Sequence, residues 1–330
     1  MTENYSPNDP VHEPTTSVAR TVFVHASLFI ITLLTTILAG VQWLNKDPWE
    51  LTNFPSGVTY GILIILFLAS HEFGHYIAAR YHRVKVTLPF FLPFPAFFGL
   101  FPFGTLGAVI RIKSAIPSRK VLFDIGAAGP LAGFVVSLAI LILGFVFLPQ
   151  KEYLYSIHPE YAQIKTIPEG GLAFGNTLFF SIVSNLFAPA DAFVPPMNEV
   201  YHYPFLSVGW FGLFVTAMNL IPIGQLDGGH ISYAMYGRAH HTIAQVSLIG
   251  LIVMGLAGFL PVLGIPFQHG WTGWLFWAFL LIVFMRRAGF RRPMIDDDTG
   301  LDPTRMVIGW ICLLIFVGSF SIAPFTIELR

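Results

Sequence analysis

Three ionisable residues fall within five positions at His71-Glu72-Phe73-Gly74-His75. On a helix, residues four apart share a face, so His71 and His75 can bind one metal ion together. Glu72 lies on a neighbouring face, where its carboxylate can reach a water at the metal without binding the metal itself. This arrangement is typical of metal-assisted hydrolysis with a carboxylate as general base. The structural alternative is a group of interfacial polar residues at the end of a helix.

A tetrahedral catalytic zinc requires a third protein ligand. The chain has only 18 Asp and Glu residues, and those near apolar segments are Glu72, Asp124 and Asp227. Asp227 follows the helix-breaking Pro222 and precedes Gly228-Gly229, so its carboxylate can turn towards the metal. Asp124 is expected at the N-terminus of a helix, where an acid is favoured electrostatically. We therefore predict that His71, His75 and Asp227 bind one Zn²⁺ per chain.

The elements that position these residues are predominantly apolar. Hydrophobic residues make up 55% of the chain and charged residues 11%, and the mean hydropathy is +0.68. A soluble domain carries about 25% charged residues. The 18 Lys and Arg residues are balanced by 18 Asp and Glu residues, which argues against nucleic-acid binding. The composition predicts an all-α polytopic membrane protein in contact with a lipid bilayer.

Seven apolar runs are candidate transmembrane helices. They cover residues 21–44, 58–79, 121–148, 205–221, 243–260, 271–285 and 306–324. The fourth and sixth runs are short for a span of about 20 residues. Residues 1–19 are polar and are expected to form a disordered tail, which leaves 20–330 as a single transmembrane domain. The lone Cys312 excludes an intramolecular disulfide framework.

The basic residues predict an orientation in the membrane. With a cytoplasmic N-terminus and seven spans, 14 Lys and Arg residues fall on the cytoplasmic side and 4 on the opposite side. An excess of Lys and Arg marks cytoplasmic loops. The count therefore favours a cytoplasmic N-terminus in an integral membrane protein.

Two connecting segments are too apolar for ordinary loops. Residues 84–112 are rich in Phe and Pro, and repeated Pro excludes a long helix. We expect strands at 84–90 and 104–112 in a small re-entrant β-hairpin, since backbone at membrane depth must be covered by protein or by a water cavity. A loop lying flat in the interface is the alternative. Residues 172–189 are too short to span and predict an interfacial helix.

These motifs together resemble the site-2 protease family of intramembrane zinc metalloproteases. His71–His75 matches the HExxH motif of that family, and 219–229 matches its second motif of Asn, Pro and Leu-Asp-Gly. Residues 126–133, GAAGPLAG, resemble its Gly-rich span. The likeness covers a catalytic core of about 57–230. The composition looks most like the bacterial and plastid branch, and no stretch is suitable for a PDZ or CBS domain.

The resemblance implies a zinc metalloendopeptidase that hydrolyses peptide bonds in or near membrane spans. It implies zinc ligation by His71, His75 and Asp227, with Glu72 as general base. It also implies that Asn219 positions the scissile segment or the oxyanion, and that 84–112 pairs with an unwound substrate. The expected partners are single-span membrane proteins, in a bacterial inner membrane or a plastid membrane. The alternatives are a membrane metal-ion binding or transport protein and a catalytically inactive homologue.

Overall fold

The computed structural model describes residues 17–95, 103–164, 167–168, 170–265, 267, 270–288, 294–296 and 299–328. Helices dominate the described residues: α1 Val18–Trp43, α2 Phe54–Tyr81, α3 Arg119–Val146, α4 Lys151–Ile157, α5 Pro159–Ile164, α6 Leu178–Phe187, α7 Pro204–Leu220, α8 Asp227–Tyr236, α9 His240–Ala257, α10 Gly273–Ala288 and α11 Pro303–Ser319. Residues 1–16 of the predicted tail lie outside the described residues. The helix α1 begins at Val18, inside the predicted tail.

Four helical segments are long and apolar enough to cross a membrane. They are α1, the segment Leu51–Tyr81 that contains α2, α3, and the segment Asp227–Ala257 formed by α8 and α9. The predicted fourth, sixth and seventh spans correspond to shorter helices α7, α10 and α11, of 17, 16 and 17 residues. The described part of the chain is therefore a mostly helical membrane protein with four candidate spans by length and composition.

Apolar side chains face outward and polar side chains face inward on the long helices. Exposed residues on α9 include Val246, Ile249 and Val253, whereas Thr32 and Thr36 of α1 are fully buried. A water-soluble monomer rarely exposes continuous apolar faces of this kind. The distribution is the one expected for helices that are solvated by lipid.

Helix α7 forms the centre of the helical core. Trp210, Phe211 and Leu213 are fully buried, and α7 contacts α2, α3, α8 and α11. A helix that is hydrophobic on all sides is stable only when protein or lipid surrounds it. Neighbouring helices surround α7, so it can end after 17 residues, and the chain can turn within the protein.

The segment 84–112 contains an antiparallel hairpin with different strand bounds from those predicted. Strand β1 covers Phe90–Pro93 and β2 covers Thr105–Val109, with a separate bridge between Val86 and Ile112. Residues 96–102 lie outside the described residues. The hairpin packs against α1, where the His25 imidazole lies 3.0 Å from the Pro89 carbonyl oxygen.

Two further strand pairs were not predicted, and they correct the all-α assignment. Strands β3 Ile116–Ser118 and β5 Met294–Asp296 are parallel, and β4 Gly171–Phe174 pairs antiparallel with β6 Phe325–Glu328. The predicted interfacial helix 172–189 is therefore wrong at its start, since β4 precedes α6. Each pair joins segments that the Lys and Arg count assigns to one side of the membrane.

Asp124 takes part in an ion pair and does not begin a helix. Helix α3 begins at Arg119, with Ser118 as its N-cap. The Asp124 carboxylate accepts hydrogen bonds from Arg305 Nε at 2.8 Å and Nη2 at 2.6 Å, and His82 lies 2.8 Å away. The expectation of a helix-terminal role for Asp124 is therefore wrong. Through its contacts with Arg305 and His82, Asp124 connects α3 to α11 and to the end of α2.

Candidate metal centre and active site

Helix α2 and the start of α8 bring three candidate ligand atoms together. The Nε2 atoms of His71 and His75 are 3.1 Å apart, and Asp227 Oδ2 lies 3.3 Å from each of them. A tetrahedral ion with bonds of about 2.0–2.1 Å separates its ligand atoms by about 3.3 Å. The three atoms therefore have the spacing that one zinc ion requires.

Hydrogen bonding determines which nitrogen of His75 faces this site. His75 Nδ1 lies 2.7 Å from the carbonyl oxygen of Ile125. A carbonyl can only accept, so Nδ1 carries the proton and a neutral ring presents the Nε2 lone pair. That lone pair faces a carboxylate oxygen of Asp227, an arrangement that is repulsive without a cation between them. The donor set thus fits a metal ion, and Ile125 orients a ligand as outer-sphere partners of metal sites do.

Glu72 lies beside the three candidate ligands and is not part of the group whose ligand atoms converge. Its side chain is 8% exposed and interacts with the backbone of Ile110, just after β2. Glu72, the three candidate ligands and β2 residues Ala108 and Val109 line one cavity of about 230 Å³. The cavity is large enough to hold water next to the carboxylate.

The Gly-rich span permits α3 to pack directly on the ligand helix. At Gly129, an added Cβ would overlap the His75 ring, and at Gly133 it would lie 3.1 Å from His71 Nδ1. At Gly74, the added Cβ would overlap the backbone of Ala128. These glycines therefore have a packing role: they bring α3 within van der Waals contact of both imidazoles.

Replacing Gly129 with alanine is expected to weaken the metal site. The new methyl group would displace the His75 ring or push α3 away. Either change would disturb the contact between His75 Nδ1 and the Ile125 carbonyl on α3. The loss of such an outer-sphere partner costs about 10–100-fold in metal affinity or activity. The measurement is zinc affinity by competition with a chelator. Gly250→Ala in α9 is the matched control, because its Cβ would meet nothing within 4 Å. Equal zinc affinity in the two variants would contradict the close packing of α3.

The connection after α7 positions Asp227 by compact backbone packing. The helix α7 ends at Leu220, and Gly224 adopts a positive φ of 57°. An added Cβ at Gly228 would overlap the Leu220 carbonyl oxygen, so the first turn of α8 crosses the end of α7 at contact distance. Asp227 lies in that first turn, where the helix dipole favours a carboxylate.

The structure places Asn219 beside the candidate ligands, together with Gln225 and His230. Asn219 Nδ2 lies 3.4 Å from His71 Nε2, and Gln225 and His230 line the same cavity. His230 follows Asp227 by three residues on α8, a spacing that signals a shared helical face. Further along the chain, His240 is 3% exposed and its Nδ1 lies 2.6 Å from Ser232 Oγ.

The model of peptidase family M50 matches residues 59–260, which include every residue of the proposed centre. The chain belongs to this family. M50 is the site-2 protease family, so the resemblance drawn from the motifs is confirmed at the level of the family.

Several plant proteins with zinc-protease names are similar to this M50 chain. "Probable zinc metalloprotease EGY2, chloroplastic" of Oryza sativa subsp. indica is 27% identical over 92% of the chain and 50% of its own length. "Probable zinc metalloprotease EGY1, chloroplastic" of Arabidopsis thaliana is 26% identical over 93% and 54%, respectively. The EGY1 protein of Oryza sativa subsp. japonica is 34% identical over 60% and 31%. The chain thus spans about half the length of the first two relatives.

Proposed function

We propose that the chain is an intramembrane zinc metalloprotease that hydrolyses peptide bonds in or near the spans of membrane proteins. The convergence of His71, His75 and Asp227 beside a non-ligating Glu72 carries this proposal. A carboxylate that is close to the metal yet not bound to it has a use in hydrolysis. It has none in storage or transport of an ion. Residues 20–330 would form one transmembrane domain, with a catalytic core of about 57–230.

Each polar residue of the cavity has a distinct role in this reaction. Zinc bound by the three ligands would polarise the scissile carbonyl and lower the pKa of water. Glu72 would take a proton from the attacking water as its oxygen bonds to the carbonyl carbon. Glu72 would then pass that proton to the nitrogen as the C–N bond breaks. Asn219, with an amide directed into the site, would donate a hydrogen bond to the developing oxyanion.

Strand β2 is the surface on which we propose the substrate is held extended. Within the described residues, β2 pairs with β1 on one edge, and its residues Ala108 and Val109 line the cavity beside Glu72. A peptide added to the free edge of β2 would gain main-chain hydrogen bonds. A helical substrate hides its carbonyls in its own hydrogen bonds, so strand addition would expose one carbonyl for attack. Single-span proteins that can unwind locally are the proposed substrates.

The proposed orientation places the N-terminus and the metal-bearing end of α2 on the cytoplasmic side. The Lys and Arg asymmetry supports it, and the pairing of β3 with β5 is consistent with the same side for both segments. The chloroplastic names of the relatives favour a plastid membrane over a bacterial inner membrane. In a bacterial host, a cysteine placed in 286–292 should resist an impermeant reagent added outside intact cells, and one in 155–165 should react. The reverse labelling would overturn the orientation.

Incubation with single-span membrane proteins tests the activity directly. The purified chain in detergent should cleave a susceptible substrate, lose the activity on treatment with a zinc chelator, and regain it when zinc is restored. The products should be identified by mass spectrometry, so that the cleaved bond is located relative to the span. Cleavage by the chain that is unchanged after zinc removal would refute the assignment of a zinc-dependent protease.

A further inference from the structure

A second cluster of metal-ligating side chains lies beyond the opposite end of α7. It consists of His158, Glu199 and His202, and His202 comes two residues before α7 begins. Roughly 15 residues of helix, or about 22 Å, separate Pro204 from Asn219. Ions that share a two-metal site are about 3.5–4 Å apart, so this cluster is independent of the centre on α2.

The three ligand atoms of the cluster converge on one point. The Nε2 atoms of His158 and His202 are 2.9 Å apart. Glu199 Oε2 lies 3.4 Å from His202 Nε2 and 3.9 Å from His158 Nε2. These separations bracket the value of about 3.3 Å for ligands of a tetrahedral zinc. His202 and Glu199 are almost completely buried, at 0% and 2% exposure.

Both imidazoles are oriented as metal ligands are. His202 Nδ1 lies 2.5 Å from the Trp43 carbonyl oxygen, and His158 Nδ1 lies 3.1 Å from a Glu160 carboxylate oxygen. Each of these oxygens accepts the Nδ1 proton, so a neutral ring presents its Nε2 lone pair to the cluster. A ligating histidine almost always donates its other N–H to a carbonyl or a carboxylate. Two facing lone pairs at 2.9 Å repel each other unless a cation or a proton lies between them.

The Glu199 carboxylate has one satisfied oxygen and one without a hydrogen bond. Oε1 accepts from the Tyr161 hydroxyl at 3.0 Å, while Oε2 is buried without a hydrogen-bond partner among the described residues. A buried, unpaired carboxylate oxygen is costly. Glu199 and His202 are both buried, and burial disfavours the charged form of each side chain. The pocket is thus unfavourable to charge on either residue unless a counter-charge is present.

We infer that His158, Glu199 and His202 bind a second divalent transition-metal ion, and that zinc is the ion that suits two imidazoles and one carboxylate. The exposed Asn45 amide lies 3.3 Å from His158 Nε2. This amide lies on the solvent-exposed side of the cluster. The ion would enter from that side, and a water would complete its coordination there. The ion would hold the turn between α4 and α5 against the turn before α7, where His202 also contacts the Trp43 carbonyl at the end of α1, so its role would be structural.

Zinc content of four proteins tests this inference on the full chain. The wild type, Glu199→Gln, Asp227→Ala and the double variant would be purified in detergent, and zinc per chain measured by mass spectrometry. The expected values are about two, one, one and zero. Glu152→Gln is the matched control, since this exposed residue of α4 is outside the cluster, and its protein should keep two ions. If Glu199→Gln fails to fold, His158→Asn would replace it in the test, because His158 is a more exposed ligand.

The outcomes separate the two sites. A single zinc that is lost in Asp227→Ala and kept in Glu199→Gln would overturn the second site and leave the proposed protease intact. A single zinc with the opposite pattern would support the second site and reject the metal centre on α2. If a proton holds the cluster together, the amide introduced by Glu199→Gln can donate to His202, and zinc content and melting temperature should equal those of the wild type. Added zinc should raise the melting temperature of Asp227→Ala and not that of the double variant.

Discussion

Glu72→Gln should fold, keep its zinc, bind substrate and cleave at least about 10²–10⁴-fold more slowly than the wild type, the range typical of losing a general base. Glutamine has the shape and reach of glutamate, so the packing of this buried side chain and the approach of β2 should persist. Its amide cannot accept the proton of the attacking water. Cleavage of a single-span substrate and zinc content should be measured on one preparation.

The control for Glu72→Gln is a polar substitution elsewhere on the same helix. Ser70 lies on α2 two positions earlier, and within the described residues its hydroxyl donates to the Phe67 carbonyl oxygen. Ser70→Ala should therefore cleave at a rate near that of the wild type. Retained zinc with near-normal cleavage by Glu72→Gln would refute the role of Glu72 as general base, and with it the mechanism proposed above.

Asp227→Ala should lose the zinc held by α2, a fall of about one ion per chain, and should lose cleavage with it. Outer-sphere partners alone change metal affinity by about 10–100-fold, so the loss of a direct ligand should weaken binding by more than about 100-fold. Two imidazoles would remain, 3.1 Å apart, without the anionic oxygen. The measurement is the zinc affinity of the variant by chelator competition.

Asp124→Asn is the matched control for Asp227→Ala. With Glu72 and Asp227, Asp124 is one of the three carboxylates near apolar segments, and it is paired with Arg305 and His82. Weakening that pair should lower the melting temperature while zinc content stays at the wild-type value. Loss of zinc from Asp124→Asn with full retention in Asp227→Ala would reverse the ligand assignment.

Local spacing was enough to predict the residues of α2. An interval of four positions places His71 and His75 on one face of any helix, and Glu72 follows from the same periodicity. Because an apolar chain contains few carboxylates, Asp227 could be selected from the sequence alone as the candidate third ligand. The family was also evident from the order of the motifs, and the match over 59–260 confirms it.

Strand bounds and sheet partners depended on contacts between distant parts of the chain. The hairpin was predicted, but β1 begins at Phe90 because its register is determined by pairing with Thr105–Val109 and by packing against α1. The strand at Gly171–Phe174 pairs with residues more than 150 positions later. No local pattern distinguishes such a short apolar run from the first turn of a helix.

The sequence by itself determined the membrane class, the family and the residues with the chemistry of a metal site. Only the tertiary structure decided which atoms face one another. The Ile125 carbonyl selects the tautomer of His75 from 50 positions away, and Gly129 has a role only because α3 touches that ring. His158 and His202 are 44 positions apart and meet at 2.9 Å. Helical periodicity relates residues within a few turns, whereas contacts between helices depend on how whole side-chain surfaces pack.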